Sequence, residues 1–339
     1  MAELTLTSAT DAALLPWHLS VDGMSPQGPN LSHWPGNRTP REFQADLSTG
    51  ICLRFARCAP AERARFLAGA TQVLNNHYDT DGFLSLLAVT RPEMALAREE
   101  LCLAAAATGD YGAFVTRRAF AIDRIVLGLG KIPGTPLYGQ LDRPAPDQLA
   151  KEERDHLRYR WLLQHAESVI DAPERLAPLY EDELGATLRA LDAAQAGAVR
   201  RELHHGQGLA VLTTATDTPR MVLNTFSVLH RVLQVQPAPP RGHYYRLHER
   251  TESWFEMVTI HPPGRLDLRP LAARLHALEH AAGPVDAAIW NADPPDEPIP
   301  ELYFGTAAPQ AYGEVTRALA PSRLAPGQVV DCVREYYGG

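Results

Sequence analysis

The feature that most constrains the fold is an apolar segment, an acidic turn and a second apolar segment in immediate succession over residues 70–89. Residues 70–75 are predicted to form a short buried strand, and residues 83–89 to form a buried helix. The polar turn between them ends at Gly82. A strand, a turn and a helix in this order are the repeating unit of α/β proteins. We therefore predict an α/β fold built on a mainly parallel sheet flanked by helices.

The length of 339 residues predicts a larger and a smaller domain rather than one core. Four prolines within residues 133–148 indicate a loop, and residues 150–203 have the spacing and charge mix of amphipathic helices. Alternating strand and helix patterns resume from residue 209. We expect an α/β domain with an irregular N-terminal segment, a helical connector, and a smaller α/β domain as the candidate substrate-binding part. These parts cover residues 1–135, 136–203 and 204–339, respectively.

The composition is that of a globular protein, with 45% hydrophobic and 21% charged residues. No apolar run approaches the roughly 20 residues that span a bilayer, and the N-terminus lacks the layout of a secretory signal. We therefore expect a cytoplasmic protein without a membrane partner. The formal net charge of −8 argues against duplex nucleic acid as a partner and favours a small or short substrate. The cysteines form no C-x-x-C pair, which predicts reduced core residues at Cys52, Cys58, Cys102 and Cys332.

The acidic turn carries three potential metal ligands at alternate positions, His77, Asp79 and Asp81. On an extended segment these side chains point to one side, and Gly82 lets the backbone turn sharply beside them. Carboxylates suit Mg²⁺ and Mn²⁺, and an added imidazole shifts the preference toward Mn²⁺, Fe²⁺ or Zn²⁺. We predict a divalent-metal site in which Mn²⁺ is preferred and Mg²⁺ or Fe²⁺ is an alternative cofactor.

The same turn has two other interpretations. Asp79 and Asp81 could cap the helix that begins near Phe83 without binding a metal. The alternating acidic residues before a glycine also resemble a calcium-binding EF-hand loop. That loop requires a bidentate glutamate at its last position, where this chain has Ala88, and no paired loop follows. Calcium sensing is therefore not expected.

Residues 77–85 resemble the first motif of the DHH-type phosphoesterase superfamily, whose members bind paired manganese ions with such a turn. Residues 46–53 resemble the helix start that follows the family's Asp-His-His triad, and residues 108–114 resemble its late aspartate turn, which contributes Asp110. The resemblance covers roughly residues 30–115. It implies a metal-dependent phosphoesterase.

The chain resembles a divergent member of that superfamily. It contains no Asp-His-His triad, and residues 46–53 precede the first motif instead of following it. His33 is the candidate for the histidine that the triad would contribute. The family's C-terminal glycine-rich histidine loop has only a loose counterpart at residues 204–208.

Candidate substrate contacts lie outside the acidic turn. Arg246 and His248 alternate on a predicted strand, so they share a face that could hold a phosphate or carboxylate. An edge strand protected by charge explains this pattern equally well. His205 in the C-terminal part, and Asn37 and Arg38 in the irregular N-terminal segment, complete the predicted substrate-binding set.

The predicted function is hydrolysis of a phosphoester or phosphoanhydride in a small phosphorylated molecule or short nucleotide. Two divalent ions would be held in part by Asp81 as the shared carboxylate. A mononuclear non-haem iron oxygenase using His77, Asp79 and a distal His204 or His205 is one alternative. A catalytically inactive ligand-binding protein on a hydrolase scaffold is another. The predicted catalytic and metal-binding residues are His33, His77, Asp79, Asp81 and Asp110.

Overall fold

The computed structural model confirms an α/β fold, and its helices and strands form two compact units. It describes residues 4–9, 17–141, 148–240, 242–284, 287–306 and 317–338. The first unit comprises Met1–Ala186 together with Phe255–Ile260, and the second comprises Thr187–Trp254 and His261–Gly339. Within this division, the predicted boundary at residue 135 lies inside the first unit and the predicted boundary at residue 203 lies inside the second. Most of the predicted helical connector belongs to the first unit.

The first unit contains a sheet in which all described strand pairs are parallel, in the order β1-β4-β2-β3. The predicted buried strand is β4, and it is shorter than expected. The strands are β1 (Thr5–Leu6), β2 (Leu19–Val21), β3 (Asn30–Leu31) and β4 (Gln72–Leu74).

Helices make up most of the first unit. The predicted apolar helix is α3, which is buried on all sides over its first nine residues, and this explains why its sequence is apolar without a polar face. The helices are α1 (Ser48–Arg57), α2 (Pro60–Leu67), α3 (Thr80–Thr90), α4 (Pro92–Leu96), α5 (Glu99–Asp110), α6 (Arg117–Gly128), α7 (Lys151–Gln164), α8 (Ala166–Asp171) and α9 (Glu181–Ala193), which crosses into the second unit. None of the described helices combines the length and apolar character needed to cross a membrane.

The second unit is built on a mixed sheet of seven described strands, in which only β6 and β7 are parallel neighbours. Helices α11 and α12 contribute buried side chains to a hydrophobic core on one face of this sheet. The strands are β5 (Val199–His204), β6 (Leu209–Thr214), β7 (Arg231–Pro237), β8 (His243–Glu249), β9 (Ile289–Ala292), β10 (Glu301–Thr306) and β11 (Ala318–Leu319). The helices are α10 (Arg220–Ser227), α11 (Arg269–Ala282) and α12 (Pro326–Gly338).

One helix of the second unit is shorter than its sequence pattern predicts. Residues 221–232 have a helical pattern, but α10 ends at Ser227 because Val228 adopts a left-handed backbone conformation with φ of 51°. The following residues begin β7. The four cysteines form no disulfide; three are buried as predicted, whereas Cys58 is partly exposed.

Tyr159 on α7 anchors the acidic turn. Its hydroxyl donates to the carbonyl oxygen of His77 at 2.8 Å and accepts the backbone N–H of Asp79 and the amide of Asn75, both at 3.2 Å. Gly82 lies in the first turn of α3, where a Cβ atom would collide with the side chains of Asn75 and Tyr159. This glycine is therefore required for close packing rather than for a sharp turn.

We expect the Tyr159→Phe substitution to lower the free energy of unfolding by about 1–3 kcal/mol, because buried polar groups of the turn lose their partner. Urea denaturation of the metal-free protein measures this change. Tyr138→Phe is the matched control, since Tyr138 is 49% exposed. Equal stability of the two variants would show that the hydroxyl does not hold the turn.

Candidate metal centre

The candidate site lies where strands β2 and β4 end. These strands are parallel neighbours, so their carboxyl ends meet at one edge of the sheet, where α/β proteins commonly bind ligands. Asp22 follows β2, and the turn after β4 carries His77 and Asp79. One carboxylate oxygen of Asp79 accepts the backbone N–H of Gly82 at 2.7 Å and caps α3. Its other oxygen faces His77.

Two sets of potential ligands share one residue. Asp22, His77 and Asp79 form the first set, and Asp22, His33 and Asp81 form the second; within each set the ligand atoms lie within 4.8 Å of one another. The Nε2 atom of His77 is 2.8 Å from Oδ2 of Asp79 and 3.0 Å from Oδ2 of Asp22. The Nε2 atom of His33 is 3.7 Å from Oδ1 of Asp22 and 3.8 Å from Oδ2 of Asp81. Asp22 therefore offers a different oxygen to each set.

Asp22 is absent from the residues predicted from the sequence, which assigned the shared position to Asp81. The only sequence signal for Asp22 is an aspartate between a buried three-residue strand, Leu19–Val21, and Gly23. A three-residue strand is too short to show a periodic pattern. These two ligand sets form one cluster, and all five residues predicted to be catalytic lie in or beside it: His33, His77, Asp79, Asp81 and Asp110. Asp110 lies beside it, with its Oδ2 atom 3.4 Å from Nε2 of His33.

His33 is oriented as a metal ligand would be. Its Nδ1 atom lies 2.7 Å from the carbonyl oxygen of Asp46, which can only accept, so Nδ1 carries the proton and Nε2 carries the lone pair. Nε2 is buried and has no hydrogen-bond partner among the described residues, although three carboxylates surround it. Burial lowers the pKa of His33 despite the opposing effect of Asp81, which favours the neutral imidazole that binds metals.

The cluster holds more negative charge than its histidines can balance. Burial, followed by the carboxylates of Asp79 and Asp81, raises the pKa of Asp22 to about 7. Burial, followed by Asp81, also raises the pKa of Asp110 well above its usual range. Burial alone would lower the pKa of His77, but Asp79 and Asp22 raise it well above its usual value. A divalent cation would compensate the charge that protons otherwise neutralise.

Asp81 has a structural role that the sequence did not reveal. Its buried carboxylate accepts the backbone N–H groups of Ser48 at 2.8 Å and Thr49 at 2.7 Å, the first residues of α1. Negative charge at a helix N-terminus is favourable, and these donors have no partner within the helix. Removing this negative charge is therefore expected to destabilise α1 as well as any metal site.

A distant segment of the first unit, Phe255–Ile260, covers His33. The ring of Phe255 stacks on the imidazole with centroids 3.7 Å apart, and the N–H of Glu256 donates to the carbonyl oxygen of His33 at 2.8 Å. Asp46, whose carbonyl oxygen orients His33, also accepts the N–H groups of Val258 and Thr259 through its carboxylate. These contacts join residues more than 200 positions apart, so no local pattern could predict them.

The residues predicted to bind substrate are divided between the two units. The amide of Asn37 donates to the carbonyl oxygen of Trp34 and to the carboxylate of Glu256. Arg38 donates to the backbone oxygens of Ser25 and Gly28. Both side chains therefore hold the loop, and their role in substrate binding stays a prediction. The remaining three predicted contacts belong to the second unit: His205, Arg246 and His248.

Fold and site together define an α/β protein with a candidate centre for two metal ions. The chain belongs to the family DUF6687, described as a family of unknown function, whose model matches residues 7–339. A search of curated proteins finds no match.

We expect Asp81→Asn to lower the free energy of unfolding by about 1.5–3 kcal/mol, because a buried hydrogen bond to a charged group is lost and an amide N–H₂ then faces a backbone N–H. Chemical denaturation of the metal-free variant measures this loss. Asp171→Asn is the control, since Asp171 pairs with Arg98 at the surface of the same unit. A loss no larger than that of the control would show that Asp81 does not stabilise α1.

Proposed function

We propose that this protein is a divalent-metal-dependent hydrolase of a phosphoester or phosphoanhydride, and that its cluster holds two ions. The observation that carries the proposal is the placement of Asp22, whose two oxygens face two separate sets of one histidine and one aspartate. A carboxylate shared between two ligand sets is what a two-ion hydrolase requires. The resemblance of residues 77–85 to the first motif of the DHH-type phosphoesterases supports the same chemistry.

The residues fit two divalent ions. One ion would be held by Asp22, His77 and Asp79, and the other by Asp22, His33 and Asp81, with Asp110 beside His33. Mixed oxygen and imidazole ligands suit manganese, with magnesium or iron as alternatives. When bound, such ions supply Lewis acidity toward phosphoryl oxygens and lower the pKa of water.

The surrounding residues position the ligands. The Asp46 carbonyl fixes the tautomer of His33, and Phe255 shields one face of its ring from solvent. Tyr159 holds the backbone on both sides of Tyr78, and the ring of Trp34 lies 4.6 Å from that of His77. Such outer contacts set ligand orientation and affinity in metal sites.

A mononuclear iron oxygenase is a weaker proposal. Its usual ligand triad has two histidines and one carboxylate, whereas each set here has one histidine and two carboxylates. The distal histidines considered for that triad, His204 and His205, belong to the second unit, where His204 pairs with Glu202 at 3.0 Å. An inactive ligand-binding protein is the remaining alternative, and it would require no metal.

Elemental analysis after manganese reconstitution tests the two-ion arrangement. We expect about two ions per chain in the unchanged protein, because two ligand sets are present. Asp22→Asn should lose both ions, whereas Asp79→Asn should lose only the ion bound by His77. Asp171→Asn at the surface should retain both.

Retention of two ions by Asp22→Asn would overturn the shared-carboxylate arrangement. One iron per chain would favour the oxygenase, and no metal in the unchanged protein would favour the inactive binding protein. Circular dichroism of each variant separates loss of metal from loss of fold.

Hydrolysis of bis(p-nitrophenyl) phosphate and of inorganic pyrophosphate, with manganese present, tests the reaction. We expect turnover of at least one substrate and a fall of at least about a hundredfold in Asp22→Asn, since loss of an outer partner alone costs 10–100-fold. Asp171→Asn should keep full activity. Turnover that is unchanged by Asp22→Asn would place the reaction elsewhere, and iron-dependent oxygen consumption without phosphate release would favour the oxygenase.

A further inference from the structure

Three arginine side chains meet at one buried carboxylate in the second unit. Arg220 begins α10, Arg246 lies on β8, Arg317 immediately precedes β11, and Glu301 begins β10 with 2% of its surface exposed. Arg220 and Arg317 bond to different oxygens of Glu301. The Nε atom of Arg246 is 3.9 Å from Oε2 of the same carboxylate, too far for a hydrogen bond.

The strand register places this arginine cluster on one face of the mixed sheet. Glu301 lies opposite His248, and Tyr303 lies opposite Arg246, in the antiparallel pair of β10 and β8. Because side chains alternate along a strand, these four residues share a face. The intervening Leu247 and Leu302 belong to the hydrophobic core on the other face. The arginine cluster is therefore separate from the packed core.

Among the described residues, positive charge exceeds negative charge at the arginine cluster. Arg317 bonds to Asp293 as well as to Glu301, so three guanidinium groups face two carboxylates. The nearby Arg250 is balanced by Glu252. His248 adds no charge, since burial and then Arg220 and the other arginines lower its pKa well below the usual value. Within the described part of the chain, one positive charge is therefore left for an anion.

Arg246 has hydrogen-bonding capacity that the protein does not use. Its Nε atom is buried without a hydrogen-bond partner in the described part of the chain, whereas other atoms of the same side chain are exposed, which gives the side chain an exposed fraction of 26%. A guanidinium group forms a fork of parallel donors that matches phosphate or carboxylate oxygens. A purely structural ion-pair network would be expected to occupy these donors.

His248 favours phosphate over carboxylate as the ligand. Its Nε2 atom lies 2.8 Å from Oδ1 of Asn224 and donates to it, which leaves a lone pair on Nδ1. That Nδ1 atom is buried without a partner among the described residues. Hydrogen phosphate carries a hydroxyl that can donate to such an acceptor, whereas a carboxylate at neutral pH does not.

We propose that this face of the second unit binds a phosphate-bearing anion through Arg246. Arg220 and Arg317 lie beside the anion, and Glu301 holds both arginines in place. Such a site goes beyond the hydrolytic centre and does not depend on it, because all of its residues belong to the second unit.

Calorimetric titration of the full-length protein with sodium phosphate tests the site. The protein is stripped of metal on a chelating resin, and the titration is done at low ionic strength. We expect binding that Arg246→Gln weakens by about tenfold or more, because a charge-assisted hydrogen bond contributes at least one such factor. Arg246→Lys should give an intermediate loss, since it keeps the charge without the fork.

Arg200→Gln is the matched control, because Arg200 lies on β5 of the same sheet with an exposed side chain. Phosphate should bind this variant and the Asp22→Asn variant with unchanged affinity. The phosphate titration therefore tests the anion site even if the metal proposal fails. Absence of phosphate binding would overturn the site, as would equal weakening by Arg200→Gln and Arg246→Gln. Acetate binding as tight as phosphate binding would overturn the assignment to phosphate.

Discussion

The arrangement of the first unit depends on the burial of like charges where two parallel strands end. Burying a carboxylate is costly unless hydrogen bonds or opposite charges compensate it. The fold compensates Asp81 with the first N–H groups of α1 and one oxygen of Asp79 with an N–H of α3. Two helices are thus docked onto the cluster by their N-terminal ends. Burial and the neighbouring carboxylates raise the pKa of Asp22 to about 7, and this excess of negative charge is why we propose the cluster as a cation site.

Hydrogen bonds to a buried ligand and its neighbour also attach a segment far along the chain to this unit. The carbonyl oxygen of Asp46 accepts a hydrogen bond from His33, and its carboxylate accepts the backbone N–H groups of Val258 and Thr259. Phe255 then lies flat on His33. The orientation of one imidazole is therefore fixed by contacts from two distant parts of the chain, as expected where a ligand must be held in place before its ion binds.

Local patterns predicted the features that are local in the structure. The turn with His77 and Asp79, the helix α3 after it and the strand β4 before it are encoded within about 20 successive residues. Asp22 could not be predicted in this way, because only the pairing of the preceding strand β2 with β4 brings it to the cluster. The end of α10 was missed because a single left-handed residue, Val228, overrides a helical pattern. The unit boundary depends on long-range contacts that a single sequence does not reveal.

The two clusters of buried charge have opposite excesses, negative in the first unit and positive in the second. Stability alone does not explain them, because apolar side chains of similar volume often stabilise an interior as well as a buried ion network does. Preorganised groups of this kind stabilise an opposite charge when one binds beside them. The lone pair on His33 and the unused donor on Arg246 mark where a cation and an anion would complete them. We therefore propose a binding role for each cluster by itself, with a cation in the first unit and an anion in the second.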